Sequence, residues 1–126
     1  MANILVIDDD ERIRTLVRRT LEIDGHTVSV AADGAEALRL FNNSVELVVS
    51  DVLMPRMGGF EMIDQIRQRS PSVPIVSMSA GGQIAPDDYL RLARRLGANR
   101  SLRKPFFDWE LRDTIAELLP QEGIAE

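Results

Sequence analysis

Asn3-Ile4-Leu5-Val6-Ile7-Asp8-Asp9-Asp10 carries four consecutive apolar residues and then, at once, three consecutive carboxylates. An apolar run without alternation predicts a strand covered on both faces, as in a parallel sheet sandwiched between helices. The acids that follow suit the start of a helix, where the dipole favours negative charge, and Asp10 has that place. The rest of the chain repeats this grammar. A helix is expected over about 10–24, with Ile13, Leu16, Val17 and Leu21 inward and Glu11/Arg14 and Arg18/Glu22 paired outward. Asp24-Gly25 stops it. Thr27–Ala31 reads as a strand, Gly34–Asn43 as a helix and Glu46–Asp51 as a second buried strand. Met54–Gly59 reads as a loop around Pro55 and Gly58-Gly59. Phe60–Arg69 is helical, Ile75–Met78 a strand, Pro86–Leu96 a helix, Arg100–Arg103 a short strand and Asp108–Leu119 the last helix, with Asp108 as its N-cap.

Strands and helices that alternate in this way predict an α/β fold. The expected architecture is a five-stranded parallel sheet in the flavodoxin-like order 2-1-3-4-5, with helices on both faces. Its site lies beyond the carboxyl ends of the strands, where strands 1 and 3 part.

Composition narrows the function. The chain has 126 residues, which suits one domain. The expected division is a domain over 1–120 and a short tail over 121–126. No apolar run approaches the ~20 residues of a membrane span, so membrane insertion is not expected. Met1-Ala2-Asn3 has no basic flank of a signal peptide. The absence of cysteine excludes thiolate metal sites and cysteine nucleophiles, and the single histidine, His26, excludes a His-rich site. A net charge of −5 argues against direct nucleic-acid binding. Of the 15 basic residues 14 are arginine, and the one lysine is Lys104, a compact charge suited to a single phosphate or carboxylate oxygen.

The strand ends gather chemistry. Strand 1 ends in Asp8-Asp9-Asp10, strand 3 in Asp51, strand 4 in Ser77-Met78-Ser79 and strand 5 in Lys104-Pro105. Singly each has an ordinary reading: a helix N-terminus, a turn residue, a small residue, a surface lysine. Together on one edge they describe a phosphoryl-transfer site. Clustered carboxylates suit Mg²⁺, and a lysine with a hydroxyl suits phosphate. His26, on the opposite edge, reads as a surface residue. Phe106, Phe107 and Trp109 read as core or helix-docking residues.

These motifs, with Asp51-Val52-Leu53-Met54-Pro55-Arg56-Met57-Gly58-Gly59, Ser79-Ala80 and Lys104-Pro105-Phe106 in order, resemble the receiver domain of two-component response regulators, of the stand-alone, chemotaxis-regulator-like kind. The resemblance implies that Asp51 is the phosphoacceptor, taking a phosphoryl group from a sensor histidine kinase or a histidine phosphotransfer protein. It implies Mg²⁺ held by Asp8, Asp9, Asp51 and the backbone carbonyl of Leu53. Lys104 would bind a phosphoryl oxygen, with a cis Lys104–Pro105 bond, and Ser79 would supply the hydroxyl that senses the group. It implies a cytoplasmic protein that is not a conventional enzyme and signals through a downstream output protein.

Three departures from that family pattern stand out. Ser101 occupies the place, three before the lysine, where the family has an aromatic ring, so the switch at Ser79 and Ser101 is expected to be atypical. The segment between Ser79 and Lys104 is longer than usual, with the excess placed at Gly81-Gly82-Gln83. Leu53 and Gly81 flank the site without a group to orient water, which predicts a long-lived phosphoryl group. Arg94, Arg95, Arg100 and Arg103 read as a solvated face with acidic partners; the functional alternative is a docking face, including a homodimer through helix 4, strand 5 and helix 5. With six residues after Pro120, the first reading is a stand-alone module. The alternatives are a receiver-like interaction module that does not switch by phosphorylation, and a fragment of a longer regulator. A phosphohydrolase with an aspartyl nucleophile fits poorly, because Leu53 stands where such enzymes carry a second aspartate.

Overall fold

Ile4, Leu5, Val6 and Ile7 are all buried, a condition met only when both faces of their strand are covered. The computed structural model describes residues 1–54, 57–80 and 86–119. It contains β1 (Asn3–Ile7), α1 (Glu11–Ile23), β2 (Thr27–Ala31), α2 (Gly34–Leu40), β3 (Leu47–Asp51), α3 (Gly59–Arg69), β4 (Ile75–Ser79), α4 (Pro86–Leu96), β5 (Arg100–Arg103) and α5 (Asp108–Leu118). All strand pairs are parallel and the order is β2-β1-β3-β4-β5, as the alternation predicted.

The two sides of β1 seed two cores. Leu5 and Ile7 join Val48 and Ile75 under Ala37, Met62, Ile63, Ile66 and Ala93 of α2, α3 and α4. Ile4 and Val6 join Leu47, Val49, Val76 and Met78 under Val17, Leu21, Leu111 and Ile115 of α1 and α5. Each such aliphatic side chain contributes about 1.5–3 kcal/mol on burial.

Several local expectations are corrected. Leu16 is 50% exposed; the buried stripe of α1 runs through Val17, Thr20 and Leu21, and the Thr20 hydroxyl is satisfied by donating to the Leu16 carbonyl. α2 ends at Leu40, because Phe41 turns into the core and the Asn42 side chain accepts the Ser44 N–H to build a turn. The N-cap of α5 is Phe107, whose N–H donates to the Glu110 carboxylate; Asp108 is the first helical residue. Phe106 packs partly against the core, but Phe107 and Trp109, at 68% and 59% exposed, stack on each other at the surface. His26 is half-buried and its Nδ1 accepts the Ala2 N–H. The sequence readings at Pro55, at Gly81-Gly82-Gln83 and over 121–126 lie outside the described residues.

One arginine binds the lower edge of the sheet. Arg67, at the end of α3, donates to the carbonyls of Gly97, Ser70 and Val73 and to Asn99 Oδ1. Asn99 Oδ1 in turn accepts the Ile75 N–H at the start of β4. The guanidinium thus caps the carboxyl ends of α3 and α4 together, where the helix dipoles favour a cation. Replacing it by methionine leaves several half-buried acceptors unpaired, at about 1–3 kcal/mol each in full. Arg67→Met is expected to lower stability by about 2 kcal/mol and the melting temperature by roughly 5–10 °C, read by thermal and urea denaturation.

Candidate functional site

Asp8 follows β1 directly, and its N–H still donates to the Ala31 carbonyl of β2 at 3.1 Å, so the sheet register fixes it. Its side chain is fully buried. One carboxylate oxygen accepts the Asp10 N–H at 2.9 Å, and the other accepts from Lys104 Nζ at 2.6 Å. Asp10 caps α1, accepting the Arg12 N–H as the sequence suggested. Asp9 lies between them and is exposed.

Asp51 is the last residue of β3 and only 6% exposed. Two features hold its surroundings. The Ser50 hydroxyl donates to the Asp51 carbonyl at 2.8 Å. Gly59 opens α3 so close to the strand end that a Cβ there would meet the Asp51 carbonyl oxygen at 2.4 Å, so only glycine lets α3 begin there. Lys104 is brought across from the far strand because its N–H extends the ladder, donating to the Ser79 carbonyl at 2.9 Å. Its Nζ then lies between Asp8 and Asp51, 3.5 Å from Asp51 Oδ1. The Lys104–Pro105 bond is cis.

The result is a crevice with one ammonium and three carboxylates. Asp8, Asp9 and Asp51 each offer an oxygen, all within 4.8 Å of one another. Burial, then the neighbouring Asp8 charge, pushes the Asp51 carboxyl up to about 6, against the pull of Lys104 and the Leu53 N–H. Burial likewise raises Asp8, opposed by its bonds to Lys104 and the Asp10 N–H. Clustered carboxylate oxygens are the hard donor set that Mg²⁺ prefers, so these residues fit that ion.

The remaining predicted residues lie around this centre. Ser79 ends β4 and is buried beside Lys104 through its backbone. Leu53 directs its N–H to the Asp51 carboxylate. Ser101 lies deeper in β5, opposite Ser77, which is itself opposite Ser50. Three serines thus cross β3, β4 and β5 in one row. The Ser101 hydroxyl is buried with no hydrogen-bond partner among the described residues. Of the basic cluster, Arg100 pairs with Glu117 and Arg103 with Asp87, while Arg94 and Arg95 are exposed. Sequence reasoning missed Arg14, which leaves Glu11 and donates instead to the Asp8 carbonyl at 2.9 Å. Its spacing after Asp10, one helical turn, was the available signal.

Residues 4–116 match the family model of the response regulator receiver domain. The chain belongs to that family. This receiver domain is 39% identical over 119 residues to a transcriptional regulatory protein CpxR homolog of Haemophilus influenzae, covering 94% of this chain and 51% of that protein. It is 40% identical to the response regulator MprA of a Mycobacterium species, covering 95% of this chain and 53% of that one. The chain therefore spans about half the length of the curated relatives it matches. Among solved structures, a receiver domain protein from Clostridium thermocellum superposes with a TM-score of 0.85 at 33% identity, covering 94% of both chains. The chemotaxis protein CheY4 of Vibrio cholerae superposes with a TM-score of 0.84 at 34% identity, covering 94% of this receiver domain and 99% of CheY4. No helix among the described residues is long and apolar enough to cross a membrane.

The buried Asp51 charge has a stability signature. Its carboxyl titrates near 3.8 in the unfolded chain and about 6 in the receiver domain. Across that window the folded state binds the proton more tightly, so stability falls as pH rises and the loss is complete above the folded value. In metal-free buffer, Asp51→Asn is expected to be more stable than wild type by on the order of 2 kcal/mol at neutral pH. The difference should vanish toward pH ~4, as followed by urea denaturation across pH.

Proposed function

We propose that this receiver domain, over 1–120 with a tail over 121–126, is a Mg²⁺-dependent phosphoacceptor that takes a phosphoryl group onto Asp51. The supporting observation is the convergence of Asp8, Asp9 and Asp51 within 4.8 Å, with Lys104 Nζ 3.5 Å from the Asp51 carboxylate. The donor is a phosphohistidine of a sensor histidine kinase or histidine phosphotransfer protein. An Asp51 oxygen attacks phosphorus, the P–N bond breaks, and an acyl phosphate forms.

Asp8, Asp9, Asp51 and the Leu53 carbonyl would hold Mg²⁺, which supplies positive charge to the phosphoryl oxygens. Lys104 is aimed at the same oxygens from the other side, already oriented by its bond to Asp8. The Ser79 hydroxyl is the donor that turns toward the new phosphoryl group. The burial of Asp51 keeps water away, and neither the Leu53 side chain nor a glycine at 81 can orient an attacking one, so the acyl phosphate is long-lived.

Switching is atypical. With Ser101 in place of a ring there is no aromatic side chain to exchange positions, and the change at Ser79 must reach the output by movement of α4 and β5 alone. That output is a partner protein, a homodimer through α4, β5 and α5, or further sequence of a longer regulator; the site of action is the cytoplasm. Ser101 in place of the ring favours a second reading, an interaction module that does not switch by phosphorylation.

Incubation with acetyl phosphate and intact-mass measurement tests the chemistry. Wild type with Mg²⁺ is expected to gain one phosphoryl group; Asp51→Asn, or wild type with EDTA, gains none. Lys104→Ala is expected to slow the gain roughly 100-fold. Loss of the group within seconds at neutral pH would contradict the long lifetime. Phosphorylation that leaves amide exchange in α4 and β5 unchanged would select the non-switching module.

A further inference from the structure

Asp9 is the one carboxylate of the crevice that is exposed, and no hydrogen bond among the described residues ties down its side chain. Its aim therefore depends on the backbone around it. That backbone is held on both sides. Before it, the Asp8 N–H donates to the Ala31 carbonyl. After it, the Asp10 N–H donates to the Asp8 carboxylate at 2.9 Å, and the Asp10 carbonyl accepts the Arg14 N–H at 3.0 Å. The remaining group is the Asp8 carbonyl, which shares one rigid plane with the Asp9 N–H. Arg14 Nη1 donates to that carbonyl at 2.9 Å from a half-buried side chain. None of the ion pairs among the described residues uses Arg14, so its guanidinium is committed to this peptide.

We infer that Arg14 is a positioning residue for the cation site: by fixing the Asp8–Asp9 peptide plane it sets the direction from which the Asp9 carboxylate meets the metal. This rests on the reading of Asp8, Asp9 and Asp51 as the Mg²⁺ ligands. It makes a prediction opposite in sign to simple electrostatics. A positive charge beside three carboxylates repels a divalent cation, so removing it should tighten Mg²⁺ binding if charge were its only effect. Losing an orienting partner of a metal ligand instead weakens binding, typically 10–100-fold.

The test is calorimetric titration of Mg²⁺ into the whole chain, without phosphodonor, for wild type, Arg14→Ala and Arg14→Lys. Arg14→Met replaces the alanine variant should circular dichroism show that variant unfolded. The expected result is roughly 10-fold weaker binding for alanine or methionine, with lysine, which keeps a donor of similar reach, regaining most of the loss. Unchanged or tighter binding in the alanine or methionine variant overturns the inference, as does a lysine variant as weak as alanine. A wild-type chain that takes up no Mg²⁺ overturns the ligand assignment and this inference with it. Normal wild-type uptake with indifferent variants overturns this inference alone.

Discussion

The contact between Lys104 and Asp8 joins the ends of two strands that are not neighbours in the sheet. Its partners are 96 residues apart in sequence, and β3 and β4 lie between them. A buried carboxylate left unpaired costs several kcal/mol, and the ammonium offsets that cost while it also faces Asp51. Among the described residues, that one ammonium faces three carboxylates, two more than it can balance. The charge deficit is built into the fold, because Asp8 and Asp51 are fixed by sheet register and cannot retreat into solvent.

That register descends from the first strand. With both faces of β1 apolar, the strand takes a central place, and the chain must cross to one side for β2 and return to the other for β3. The parting of β2 and β3 on either side of β1 opens the crevice at the carboxyl edge. The ladder then extends past β5 through the Lys104 N–H and delivers the lysine over that opening. Core packing and site electrostatics are thus two results of one topological choice.

The strand order, and the meeting of Asp8, Asp9, Asp51 and Lys104 at one sheet edge, were legible because the apolar runs of β1, β3 and β4 and the polar residues that end the strands are local signals. What was not legible depended on competition or on register. Arg14 had a helix-surface partner in Glu11, worth about 0.2–0.5 kcal/mol, but a half-buried charged hydrogen bond to a carbonyl is worth about 1.5–3 kcal/mol and wins. The inward place of Leu16 depends on small differences in helix rotation, and Thr20 could take it only by bonding its hydroxyl back to the helix. The row of Ser50, Ser77 and Ser101 needs the offsets between β3, β4 and β5, which no single strand encodes. The exposed stack of Phe107 and Trp109 shows the limit of reading aromatic residues as core.

Having one lysine concentrates amine chemistry in one place. Among its side chains, this sequence offers amine-selective acylating and Schiff-base-forming reagents only Nζ of Lys104, whose side chain is 14% exposed and lies against Asp8. The arginines, which supply every other positive side chain, do not react with such reagents under the same conditions. Side-chain amine labelling within this sequence therefore reads the crevice itself, and whatever fills the space above Asp51 shields its one lysine.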